Sequence, residues 1–162
     1  MDLDQAARQQ VDGYSDDPRS AQWAAVAEVD HNNTAWLAGI VARSGWPRSS
    51  EVGEDAATAA WVLAQHADDS PDVQLTFRQQ MTSAVASGEA DPRLLAYLED
   101  RVRINAGRSP QLYGTQFISD ETGVLRPQPI QDLDSLDERR AAIGLESFAE
   151  YEATMHAIWT DQ

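Results

Sequence analysis

His66 is the side chain in this sequence best suited to moving a proton near neutrality. It closes an apolar stretch, one helical turn after Val62, and Gln65 stands one turn after Trp61. An imidazole where a core gives way to a helix-end loop can act as general acid or base, with a neighbouring carboxylate fixing its tautomer. The same position also suits a structural histidine that caps the helix. Further back, Asp30 and Asn33 fall at the three-and-four spacing that continues Val26 toward Leu37 and Ile40, so both are expected to face inward. A buried carboxylate needs a partner. Arg101, beside the Leu94 and Leu98 stripe, is the expected one, and the pair reads either as part of a site or as a strut between two helices.

Tyr113-Gly114-Thr115-Gln116 follows a loop marked by glycine and proline, so Tyr113 and Gln116 are expected at the mouth of a site as hydrogen-bonders, together with Asn33 and Gln65. The alternative is a turn whose polar side chains bond the main chain. Gln74 and Asp100 are weaker candidates of the same sort. Acids cluster at His66-Ala67-Asp68 and at Asp132, Asp134 and Asp137, but neither group has a metal-ligand spacing, and Asp132 and Asp134 read as helix-start acids. The expectation is no metal and no cofactor. Phosphate-loop, dinucleotide and nucleophile-elbow motifs are absent.

These residues must be positioned by helices. A first helix is expected from about Leu3 to Tyr14, with Ser15-Asp16-Asp17-Pro18 ending it and capping a second from Pro18 to near Ser44, whose stripe is Trp23, Val26, Leu37 and Ile40. After a linker from Gly45 to Ser50, the run Ala56 to Ala64 is apolar on nearly every face and is expected to be buried all round. Ser70-Pro71-Asp72 opens a helix to about Ser87, with Val73, Phe77, Met81 and Val85 on one side, and Asp91-Pro92 opens another that stops near Gly107. Near residues 115–126 the pattern changes to a small β-hairpin, Phe117-Ile118 and Val124-Leu125 around a turn ending in Gly123, with Pro127 and Pro129 closing it. Helices over Asp132–Ile143 and Ser147–Trp159 complete a mainly α bundle of six to seven helices in one domain, 1–162.

Composition sets the outer limits. The 162 residues fit one domain, with 42% hydrophobic and 24% charged side chains. There are 27 acidic against 12 basic side chains, a formal charge of -15, which repels nucleic acid and anionic membranes. A small-molecule substrate or a basic protein fits this charge; so does a merely solvated surface. Cysteine is absent, which removes disulfides, thiolate nucleophiles and iron–sulfur clusters. The start, Met1-Asp2-Leu3-Asp4-Gln5, lacks the order of a secretion signal, and no apolar run approaches the ~18 residues of a membrane span, so a cytoplasmic location is expected.

Val29-Asp30, Asn33-Thr34, Gly45-Trp46-Pro47, Ala60-Trp61 with Gln65-His66-Ala67-Asp68, Asp100-Arg101-Val102, Tyr113-Gly114-Thr115-Gln116 and Arg139-Arg140 stand in an order that resembles a bacterial family catalogued as a domain of unknown function. The likeness covers nearly all of the chain after about Val29. It implies that Asp30, Asn33, Gln65, His66, Arg101, Tyr113 and Gln116 belong to the family pattern, and it leaves His31 and His156 outside it. No activity comes with the resemblance. The expectation from the residues is a cofactor-independent acid/base enzyme (hydrolase, lyase or cyclase type) on a small polar molecule, with His66, Asp30 and Arg101 doing the chemistry. The alternative is a non-catalytic, immunity-like acidic protein that meets a basic partner.

Overall fold

The computed structural model describes residues 21–107 and 110–160. The expected first helix, its Ser15–Pro18 boundary and the side chain of Trp23 lie outside the described residues. The chain is mainly α: α1 (Ala21–Ser44), α2 (Ser49–Val52), α3 (Glu54–Gln65), α4 (Pro71–Ala86), α5 (Pro92–Asn105), α6 (Leu136–Ala142) and α7 (Phe148–Thr160), with one two-stranded sheet of β1 (Phe117–Ser119) and β2 (Leu125–Pro127). It divides into two compact units, the boundary falling between Gln80 and Met81.

In the first unit, α1 and α2 both pack on α3. Of the expected stripe, α1 buries Val26 and Leu37 while Ile40 is half-buried and its neighbour Val41 is buried instead; α3 contributes Ala60, Leu63 and Ala64 and α4 contributes Phe77. The segment expected as a linker after Ser44 holds a short helix, α2, and carries Trp46 into the core, only 4% exposed. The alanine-rich α3 departs from expectation: it buries one face and leaves Ala56 exposed, with Ala57 and Ala59 half-covered. Alanine favours helix whether or not it is covered, so a run of alanines reports propensity and not the width of the buried face.

In the second unit, α5 begins as the Asp91-Pro92 signal requires. The Asp91 carboxylate accepts the Arg93 backbone N–H at 2.8 Å, and Pro92 occupies the first turn, where no N–H is needed. The inner face of α5 is Ala96, Leu98, Asp100 and Val102. β1 and β2 pair antiparallel, Phe117 opposite Pro127 and Ser119 opposite Leu125. Pro127 therefore belongs to the last rung of the hairpin, at an edge, where a missing N–H is tolerated. The helix expected from Asp132 is shorter: Leu133–Ser135 form a 3-10 turn and α6 starts at Leu136. Asp132 adopts a left-handed backbone and gives no side-chain cap; Arg139 instead donates back to the carbonyls of Gln131 and Asp132, holding that bend.

Candidate functional site

The polar residues of the second unit build a scaffold. Residues 111–116 have almost no secondary structure, so their main-chain groups need side-chain partners. Asp100, fully buried, supplies one set: its carboxylate accepts the N–H groups of Leu112 at 2.6 Å, Tyr113 at 3.1 Å and Thr115 at 3.0 Å, and the Thr115 hydroxyl at 3.0 Å. Burial pushes the Asp100 carboxyl up from the ordinary range, against these donors, which pull it down. Gln111, also fully buried, donates to the carbonyls of Gln116 and Gln128 and accepts the Gln116 N–H at 2.8 Å. Arg140 serves the opposite polarity, donating to the carbonyls of Tyr113 and Glu146, with its guanidinium 4.9 Å from the Tyr151 ring centre.

Tyr113 and Gln116 are thus held by their backbones. The Tyr113 side chain is half-buried, and its hydroxyl is pushed up by burial and by the charges of Asp100 and Glu99. The Gln116 side chain is half-buried and donates to the Thr115 hydroxyl at 3.0 Å. Arg101 is half-buried on α5, and the charged residue that this helix buries fully is its neighbour Asp100.

The other four expected site residues lie in the first unit. Gln65, 7% exposed, is the last residue of α3, and half-buried His66 is its C-terminal cap, with its backbone N–H on the Val62 carbonyl. Gln74, fully buried on α4, organises this end: its amide donates to the carbonyls of Ala64 and Gln65, both at 3.1 Å, and to the Asp68 carboxylate at 2.9 Å. Asp30 and Asn33 are half-buried on α1, at the margin of the core, and the polar residue that α1 buries is Thr34. The structure therefore brings Gln65 and His66 together around Gln74, and Tyr113 and Gln116 together around Asp100 and Gln111.

The first unit also contains a cavity of about 430 Å³ that no sequence signal announced. Its walls are Trp36, Leu37, Ile40 and Ser44 of α1, the turn Gly45-Trp46-Pro47, Glu51 and Val52 of α2, and Ala56, Ala59, Ala60 and Leu63 of α3. The volume lies in the range of small-molecule sites. Gly45 and Pro47 end α1 and turn the chain so that Trp46 packs inward as the floor, while Trp36, 62% exposed, stands at the rim. The three small alanines of α3 leave the space that larger side chains would fill. None of the seven expected site residues lines this cavity.

No group of three or more histidine, aspartate or glutamate side chains among the described residues is arranged to hold a metal. No helix among them is long and apolar enough to cross a membrane. Neither a curated protein nor a solved structure matches the chain. A family model does, over residues 1–160, and the chain belongs to that family, the family of unknown function DUF6624.

Proposed function

We propose that this protein binds a small, largely apolar molecule in the cavity between α1, α2 and α3. The observation that carries the reading is the cavity itself: 430 Å³ walled by two tryptophans and a run of aliphatic side chains, with few polar groups. An exposed tryptophan beside a buried one is an expensive arrangement for solubility and a good one for gripping a flat or branched apolar body. The test is titration with 2-phenylethanol, followed through the indole N–H resonances and assigned with Trp36→Leu and Trp46→Phe. Saturable shifts of the Trp36 and Trp46 signals are expected. Shifts spread evenly over all five tryptophans, or none, would remove the reading.

Acid/base chemistry at His66 is the second reading, favoured by one observation. The ring is half-buried, two residues from Asp68, on a helix end that Gln74 holds in place. A panel of small carboxylates and amides that left the His66 ring resonances unmoved would count against it.

A further inference from the structure

Granting the cavity reading, we infer that its ligand is a hydrophobic amine: a compact apolar body carrying one ammonium group. Among the described residues, Glu51 of α2 is the one charged side chain that lines the cavity. A second source of negative potential opens on the same space. α1 runs for 24 residues and ends at Ser44, so the carbonyl end of its dipole meets the cavity through Ser44 and Gly45. The third is the pair of indole rings that line the space, Trp36 and Trp46, since an aromatic ring takes a cation over its face and disfavours an anion there. All three select for the same charge. The formal charge of -15 over the whole chain draws cations toward it in addition.

The competing cation is Arg48, which pairs with Glu51 at 3.9 Å. Both side chains are more than half exposed, 54% and 60%, and a long, solvated pair of that kind holds its partner weakly. Arg43, in the last turn of α1, is exposed and does not line the cavity.

Three probes of nearly equal shape decide the matter: phenethylamine, 2-phenylethanol and 3-phenylpropionate, with dissociation constants measured at neutral pH on the full chain and on Glu51→Gln. The amine is expected to bind roughly tenfold more tightly than the alcohol, the acid least tightly, and the gap between amine and alcohol is expected to shrink below about threefold in Glu51→Gln. Equal binding of amine and alcohol, or a preference that survives Glu51→Gln, overturns the inference while leaving an apolar cavity that binds neutral molecules. Failure of all three probes overturns the cavity reading itself. So does self-association of the chain that hides Trp36, seen as concentration-dependent sedimentation with no uptake of any probe.

Discussion

A single carboxylate organises the loop that the sequence presents as its most inviting motif. Asp100 faces four donor groups from residues 112–115 without exposing any of its own surface, which makes it a strut for Tyr113-Gly114-Thr115-Gln116. Asp100→Asn turns one acceptor into a donor facing N–H groups and should cost about 3 kcal/mol or more, since hydrogen bonds to a charged group are each worth about 1.5–3 kcal/mol. In thermal unfolding that loss is a drop of roughly 6–12 °C for a chain of this size. An unchanged midpoint would show that the loop does not depend on the carboxylate. In the first unit, Gln74→Leu leaves the Ala64 and Gln65 carbonyls without their amide donor and should destabilise by about 1–3 kcal/mol, read in denaturant titration. Asp100 and Gln74 read from the sequence only as weaker candidates, because spacing says nothing of the distant backbone that a side chain will meet. The helix end at Gln65 and His66 is legible for the opposite reason: it is a local event.

At the scale of elements, the sequence announced most boundaries correctly because they rest on local chemistry. Asp91-Pro92 starts α5, Pro71 starts α4, and Gly123 ends the hairpin turn with a positive φ of 80°. The hairpin turn also carries a pH dependence. Asp120 is held well below the ordinary value of 3.8 by its bonds to the Thr122 hydroxyl and to Arg126, and it also accepts the Thr122 and Val124 N–H groups. A depressed carboxylate contributes stability above its unfolded value, and that contribution is lost as pH falls through the folded one. Amide protection of Thr122 and Val124 should therefore be intact near neutrality and fall in strong acid, and Asp120→Asn should lower it at neutral pH. Protection that is flat with pH would contradict this. Gly114 gives a steric test nearby: its φ is 73°, and an added Cβ would lie 2.7 Å from the Phe148 ring and 3.1 Å from Ile130. Gly114→Ala should destabilise by about 2–4 kcal/mol, combining left-handed strain with overpacking. The helix start at Asp132 misled because an acid before an apolar run is a common cap, whereas here Arg139 claims the preceding carbonyls and bends the chain.

For the whole molecule, the acidic excess has a direct consequence. With a formal charge of -15, like charges repel across the folded surface, and salt screens them. Raising ionic strength from about 0.01 M to about 0.15 M, which shortens the screening length from about 30 Å to about 8 Å, should raise the unfolding midpoint. A midpoint that falls would mean that attractive ion pairs outweigh the repulsion. The class of the fold could be read from periodicity alone, and the cavity could not. Its walls come from α1, the Gly45-Trp46-Pro47 turn, α2 and α3, and what makes it a space is the smallness of Ala56, Ala59 and Ala60 opposite two tryptophans. The most direct test of that space is to fill it. Ala59→Phe places a ring into the cavity from a half-covered position on α3, and binding of 2-phenylethanol should weaken at least tenfold, about 1.4 kcal/mol, with thermal stability kept or raised. Undiminished binding to a folded Ala59→Phe would place the ligand elsewhere and contradict the central claim.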